Sequence, residues 1–202
     1  MKVVDIAALE ALYGQPAEAS LIKVTDHLTP EYRHWIGASR FCVLSTVGPD
    51  GTDGSPRGDE GPVVHIRNDR TLLLPDWRGN NRMDSLRNII RDGRVSLVFL
   101  IAGSTTAMRV NGTAHLSVDP DLLAGFARSE GHPRTVIVIA ISEVYSQCAR
   151  AMIRAGLWRG VDEYVGLPTV GDMLRGVNAG FDGAAYDAEW PGRAVRTMWA
   201  DQ

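Results

Sequence analysis

Residues 79–82 form the segment whose residue types most clearly suggest a binding site. They join a predicted strand to the start of a predicted helix. The first N–H groups of a helix are unpaired and carry a partial positive charge, so they bind phosphate readily. Asn80 and Asn81 can add side-chain amide donors, and Arg82 can donate two parallel hydrogen bonds to one phosphate. A capped helix start with solvated arginines fits the same residues. The segment is therefore a candidate anion site, and residue chemistry alone leaves both interpretations open.

A second polar segment, residues 54–59, lies between two predicted strands and is expected at the rim of a barrel. Ser55 and Arg57 could hydrogen-bond to the carbonyl edge of a planar ring, and Asp59 could hold Arg57 in place. An ordinary polar loop would contain the same residues, because a surface Arg–Asp pair contributes under about 1 kcal/mol. This segment is a second candidate binding region, and the plain loop remains its alternative.

Two further groups of residues lie in the second half of the chain. Arg109 falls inside a predicted strand, where an unpaired buried charge is costly, so it faces either solvent or a ligand. Arg150 and Arg154 share a helix face, and their slight repulsion would be relieved by a common anionic partner. Trp158 could pack on a cofactor, on another subunit or on the core.

The elements that must position these residues are mostly strands. Alternating or continuous apolar runs predict strands at residues 41–46, 63–66, 71–74, 95–101, 107–116 and 135–144. Helical spacing and start signals predict helices at residues 5–13, 30–37, 82–91, 119–128, 146–155 and 170–177. This order lacks the strand–helix alternation of a doubly wound sheet. It favours a closed or nearly closed antiparallel barrel, because closure removes exposed strand edges.

Length and composition favour one domain over residues 1–202, with a helical segment at 1–38 and a wrapping tail at 159–202. The chain has 202 residues, 45% of them hydrophobic, and a formal net charge of −3. This size buries a core without disulfides or metals. The slightly acidic balance argues against a nucleic-acid partner.

Cellular location is predicted from what the sequence lacks. Residues 1–13 contain no apolar signal-peptide core, and the longest apolar run, residues 95–102, is far shorter than the roughly 20 residues that span a bilayer. Cys42 and Cys148 are expected to be free thiols in a reducing compartment. We therefore expect a cytoplasmic protein with no membrane partner.

Other chemistries fit poorly. The five histidines show no metal-ligand spacing, so no metal is expected. No Gly-x-Gly-x-x-Gly turn, Walker loop or Gly-x-Ser-x-Gly elbow is present. No catalytic residue can be named from the sequence.

Four segments taken together resemble a known family: FCVLSTVGPDGTDGSPRGDEG, LLLPDWRGNNRMDSLRNIIRDGRVSLVFLI, RVNGTAHL and QCARAMIRAGLW. They are similar, in this order, to the FMN-binding pyridoxamine 5′-phosphate oxidase-like flavoproteins. The resemblance covers residue 30 to the end of the chain. It implies a mainly β fold with flanking helices (α+β), an antiparallel six-stranded Greek-key split β-barrel. It also implies a homodimer with two FMN sites at the subunit interface.

The resemblance assigns nine residues to the cofactor. At the phosphate it places Asn80, Asn81 and Arg82. Along the flavin it places Ser55, Pro56 and Arg57. Arg109 it places in the strand beside the ring. Arg154 and Trp158 it places where they complete the site near the C-terminal region, from this subunit or from the other.

The resemblance also suggests an activity. It implies an FMN-dependent oxidoreductase with a small-molecule substrate of unknown identity and a possible nicotinamide donor. The segment VVHIRNDRTLLLP departs from the Arg-x-x-Leu-Leu-Lys strand of the authentic oxidase, which argues against pyridoxamine phosphate as substrate. A non-catalytic flavin-binding or flavin-sensing protein is an alternative. A barrel that binds haem or a deazaflavin is another, since fold does not fix function.

Overall fold

The computed structural model describes residues 2–129 and 131–198. Seven strands are present in this part of the chain: β1 (Phe41–Gly48), β2 (Gly51–Gly58), β3 (His65–Asn68), β4 (Thr71–Asp76), β5 (Arg94–Leu100), β6 (Ala107–Ser117) and β7 (Thr135–Gln147). The helices are α1 (Ile6–Tyr13), α2 (Glu18–Ile22), α3 (Pro30–Ala38), α4 (Asp84–Arg91), α5 (Pro120–Ala124), α6 (Arg150–Ala155), α7 (Val170–Val177) and α8 (Gly183–Thr197). The fold is therefore mainly β with flanking helices.

The strands form one antiparallel sheet in the order β2-β1-β5-β6-β7-β4-β3. The sheet curls around a single core, because Leu44 of β1 and Leu72 of β4 belong to the same buried cluster although three strands separate them. Arg57 of β2 also forms an ion pair with Asp76 of β4. Within the described residues no strand ladder joins the edge strands β2 and β3. The barrel is therefore split on this side, where β2 faces β4 across the Arg57–Asp76 pair.

Alternation along the strands explains which face of the sheet is buried against this core. In β1 the inward residues Cys42, Leu44 and Thr46 are buried while their neighbours are not, and β5 alternates in the same way. A period of two puts one set of side chains on one face. Burial raises the pKa of the Cys42 thiol to about 12, so this cysteine stays protonated and acts as a small core residue.

Helix α4 packs against the buried side of β1, where Ile89 joins the same core cluster as Leu44, and fixes the segment that precedes it. Its buried face includes Ser85, Asn88 and Ile89. The Asn88 Nδ2 atom donates a 3.1 Å hydrogen bond to Thr46 Oγ1 on β1, and Gly48 leaves room for this amide because a Cβ there would lie 2.2 Å from Asn88 Oδ1. The start of α4 is thereby held next to β2.

The structure differs from the sequence predictions mainly in β2. Residues 54–59 were predicted to be a rim loop, but Gly51–Gly58 pairs with β1 along its whole length. Glycine, proline and aspartate disfavour strands, so local propensity hid this element, and pairing with β1 overrides it. Pro56 is tolerated because β2 is an edge strand with no neighbour on its other side.

Smaller differences follow similar causes. Helix α5 ends at Ala124, earlier than predicted. Helix α6 begins only at Arg150, because β7 extends to Gln147. Helices α2 and α8 were not predicted, and Pro191 inside α8 argued against a helix there. The predicted helix at Val170–Val177 is present as α7.

Helices α7 and α8 form a hairpin. A Cβ on Gly171 would lie 2.1 Å from the carbonyl oxygen of Gly183, so glycines are needed where the two helices meet. The Gly171 N–H also donates to Asp187 Oδ1 at 2.9 Å. Both helices pack chiefly on each other. In the described part of the chain, no helix is both long enough and apolar enough to cross a membrane.

The register shift in β6 between Asn111 and Gly112 yields a stability prediction. A Cβ on Gly112 would lie 2.0 Å from the carbonyl oxygen of Ala140 on β7, so Gly112→Ala must push two paired backbones apart. We expect a loss of about 2–3 kcal/mol in the free energy of unfolding, measured by urea denaturation. Gly176→Ala is the control, since nothing lies within 4 Å of its added Cβ. Equal stability of the two variants would contradict the packing of β6 on β7.

Candidate functional site

A cleft occupies the split in the barrel. Its lining comes from β2, from β4, from the segment after β4 and from the start of α4. The cavity volume is about 740 Å³, within the roughly 300–1,000 Å³ typical of cofactor sites. The sheet curvature that makes the barrel therefore also creates a space large enough for a cofactor.

The Arg57–Asp76 ion pair crosses this cleft. The side chains of Arg57 and Asp76 are only 19% and 14% exposed, so each charge depends on the other for compensation. Asp59, which was expected to hold Arg57, instead binds Arg128 and is 4% exposed. Arg57 is thus positioned from the opposite wall of the cleft, by a strand about 20 residues further along the chain.

Three polar atoms in the cleft lining are buried and have no hydrogen-bond partner: Arg57 Nε, Arg78 Nη1 and Thr135 Oγ1. An unsatisfied buried polar group costs roughly 1–3 kcal/mol, and such groups are rare in native proteins. Two of the three are arginine N–H donors. The cleft is therefore suited to a ligand that carries several hydrogen-bond acceptors.

The turn before α4 has the backbone expected of an anion site. Asn81 has a φ of 58° and is the one non-glycine residue in the described ranges with a left-handed backbone. The Arg82 N–H donates to Asn80 Oδ1 at 3.0 Å, which closes the turn. No side chain caps the helix at Met83, so the first N–H groups of α4 keep their capacity to bind a ligand.

Arg82 stands at the rim of the cleft. The hydrogen bond that Arg82 Nε donates to Asp84 raises the pKa of Arg82 above the usual value, so the guanidinium is charged at any physiological pH. Its side chain is 79% exposed, and an exposed pair of this kind contributes at most about 1 kcal/mol. An incoming phosphate could therefore recruit Arg82 at little cost.

The far wall of the cleft contains residues that the sequence did not reveal. The Arg128 guanidinium carbon lies 4.9 Å from the centre of the Trp77 ring, and Trp77 lines the cleft. Arg134 Nη1 donates to Asn81 Oδ1 at 3.2 Å. No local pattern pointed to Arg128 or Arg134, because their partners are about 50 residues away in sequence and meet them only in the folded barrel.

The nine residues assigned to the cofactor divide into two sets. Six line this cleft: Ser55, Pro56, Arg57, Asn80, Asn81 and Arg82. The others lie elsewhere on the chain. Arg109 on β6 lies 5.3 Å from the centre of the Tyr145 ring and has a buried, unpartnered Nε. Trp158 donates from Nε1 to the Ser104 carbonyl at 2.7 Å, and Arg154 is exposed on α6.

Each carboxylate among the described lining residues already has a partner. Asp53 accepts from Ser85, and Asp59, Asp76 and Asp84 pair with Arg128, Arg57 and Arg82 respectively. General acid–base catalysis needs a group free to exchange its proton with substrate. In residues 2–129 and 131–198 no group of three or more His, Cys, Asp or Glu is placed to hold a metal ion. The carboxylates of the lining therefore hold neighbouring donor groups in place.

Comparison with known proteins identifies the family. The model of the pyridoxamine 5′-phosphate oxidase family matches residues 28–148, more than half of the chain. The chain belongs to this family. The matched region contains all seven described strands. It also contains seven of the nine residues assigned to the cofactor, namely Arg109 and the six that line the cleft. No curated protein matches the chain.

Solved structures also resemble part of the chain. A candidate pyridoxamine 5′-phosphate oxidase from Lactobacillus delbrueckii is 27% identical, with 60% of this chain and 95% of that chain covered and a TM-score of 0.49. HupZ of Group A Streptococcus is 17% identical over 59% and 93% of the two chains, with a TM-score of 0.46. An FMN-binding protein from Syntrophomonas wolfei is 13% identical over 57% and 88%, with a TM-score of 0.42.

The Arg57–Asp76 pair generates a stability prediction. Asp76→Asn removes the charge that compensates Arg57 across the split, so we expect the free energy of unfolding to fall by about 2–3 kcal/mol. Asp50→Asn is the matched control, because Asp50 is 81% exposed in its pair with Arg91 and should change stability by less than about 1 kcal/mol. Urea denaturation measures both. A loss at Asp76 no larger than at Asp50 would show that the pair does not hold the split.

Proposed function

We propose that this protein binds FMN in the cleft between β2 and β4 and acts as an FMN-dependent oxidoreductase. The three buried, unpartnered polar atoms in the lining carry the proposal. FMN offers acceptors to such atoms at both ends, as phosphate oxygens and as the carbonyl oxygens and nitrogens of its ring. Membership of the pyridoxamine 5′-phosphate oxidase family supports the same ligand class.

The turn before α4 is the proposed phosphate site. Asn80, Asn81 and Arg82 stand there with the uncapped N–H groups of α4, and helix N-termini favour anions. Ser55, Pro56 and Arg57 would line the flavin, with Asp76 holding Arg57 in orientation. These assignments divide the cleft into an anion end at α4 and a ring end at β2.

The bound flavin would supply the redox chemistry, accepting and passing on electrons or a hydride. The chain's own residues would bind the phosphate, orient the ring and exclude water. Because the described carboxylates of the lining are paired, none is proposed as a general acid or base. The electron donor would be a nicotinamide, and the acceptor a small molecule whose identity the cleft does not specify.

The paired carboxylates also favour a second candidate, a flavin-binding or flavin-sensing protein without turnover. Steady-state oxidation of NADH or NADPH by the FMN-loaded protein separates the two. Haem is a poorer fit, because Met83 is the one residue of the described lining of a type that serves as axial ligand, and histidine, cysteine and tyrosine are missing from that lining. A deazaflavin would be distinguished from FMN by the absorption spectrum and mass of the released ligand.

We also propose that the protein is a homodimer and that Arg109, Arg154 and Trp158 contribute to the site of the partner subunit. In a single chain they lie outside the cleft. Trp158 itself is 38% exposed, and its neighbours in sequence Ile153 and Leu157 are 56% and 49% exposed. Exposed large apolar side chains next to arginines are typical of an interface.

Substitution of Arg82 tests the phosphate assignment. Arg82→Ala removes a charge-assisted contact worth about 1.5–3 kcal/mol, so FMN affinity should fall roughly 10–150-fold in a fluorescence titration. Arg91→Ala is the control, since Arg91 lies at the far end of α4, outside this cleft, and pairs with Asp50. Unchanged FMN affinity in Arg82→Ala would place the phosphate elsewhere.

Sedimentation equilibrium tests the dimer. The wild-type protein should sediment at twice the mass of the chain at micromolar concentration. Ile153→Asp places a charge in the proposed interface and should shift the protein towards monomer, because burying an unpaired charge is costly. Val118→Asp, at an apolar residue that is 67% exposed outside the proposed interface, is the control. A monomeric wild type would refute the proposal.

A further inference from the structure

One residue far from the family-matched region lines the cleft. Trp190, on α8, belongs to the same cavity wall as Arg57 and Asn81. The family match ends at residue 148, so α8 lies outside the part of the chain that defines the family. A residue of the C-terminal hairpin thus completes a site that the barrel leaves open.

The indole of Trp190 is held from within its own helix. Its ring stacks on Tyr186 with centroids 6.4 Å apart and planes 11° apart. The Arg193 guanidinium carbon lies 5.3 Å from the Trp190 ring and 4.9 Å from the Tyr186 ring. Such cation–π and stacking contacts fix an aromatic side chain without burying it, and Trp190 is 52% exposed.

The aromatic residues of the described lining are Trp77 and Trp190. Trp77 belongs to the barrel wall, where Arg128 lies over its ring. Trp190 instead comes from a hairpin that makes few contacts with the sheet. When a planar, partly apolar ring fills the cleft, a half-exposed indole in its lining can bury further apolar surface against that ring.

We propose that Trp190 is a flavin-contacting residue, which α8 presents so that its indole packs on the isoalloxazine ring and covers the open side of the cleft. This inference rests on the proposed FMN binding. It assigns to the C-terminal hairpin the recognition of the ring, while the turn before α4 recognises the phosphate. Tyr186 and Arg193 act as positioning residues for the indole.

The two ends of the ligand can be tested separately, with FMN and with riboflavin, which has the same ring but no phosphate. Trp190→Ala should weaken both ligands by the same factor, about 3–10-fold, because an aromatic pair adds about 0.5–1.5 kcal/mol beyond area burial. Trp190→Phe should retain most of the affinity. Val195→Ala, on the same helix and 75% exposed, should bind both ligands as the wild type does.

Arg82→Ala completes the design, since it should weaken FMN much more than riboflavin. Dissociation constants come from flavin fluorescence titration. If the wild type binds neither flavin, the proposed function fails and this inference with it. If the wild type binds FMN and Trp190→Ala binds both ligands equally well, FMN binding stands and the role of Trp190 is refuted. If Trp190→Ala lost affinity for FMN but not for riboflavin, the indole would lie at the phosphate, and this result would also refute the proposed contact with the ring.

Discussion

The ion pair between Arg57 and Asp76 is the interaction on which the rest of the site depends. It joins β2, at one end of the sheet, to β4, the second strand from the other end. Backbone hydrogen bonds join each neighbouring pair of strands in this sheet, but within the described residues no ladder joins β2 to β4 or to β3. A side-chain contact can span a wider gap than a strand ladder, so the barrel can stay curled while a cleft remains open beside the pair.

The same contact gives the cleft its chemical character. Asp76 compensates the charge of Arg57 but leaves Arg57 Nε buried and without a partner. Two further atoms are buried without a hydrogen-bond partner: Arg78 Nη1, on the segment after β4, and Thr135 Oγ1, at the start of β7. A folded chain tolerates such atoms when the free energy they cost is recovered on binding. Three of the four lining carboxylates pair with arginines and the fourth, Asp53, accepts from Ser85.

The sequence predicted the elements of the barrel where patterns are local and missed them where they are not. Strong apolar runs identified β5, β6 and β7, and the turn before α4 was recognised from Asn80, Asn81 and Arg82. The strand β2 could not be predicted, because Gly54, Pro56 and Gly58 disfavour strands and only pairing with β1 makes one. The pairing of Arg57 with Asp76, rather than Asp59, depends on how far the sheet curls, and no sequence pattern encodes that.

The distribution of site residues along the chain bears on how such a protein could acquire its specificity. The residues that would bind a phosphate and a ring edge lie within residues 28–148, which the family shares. Trp190 lies in a hairpin held together by the Gly171–Gly183 contact and attached to the barrel by few contacts. Because packing in the barrel does not constrain α8, substitutions there can change what the cleft accepts without destabilising the sheet. The barrel would then determine the class of cofactor, and the hairpin would determine how much of the ring a second molecule can reach.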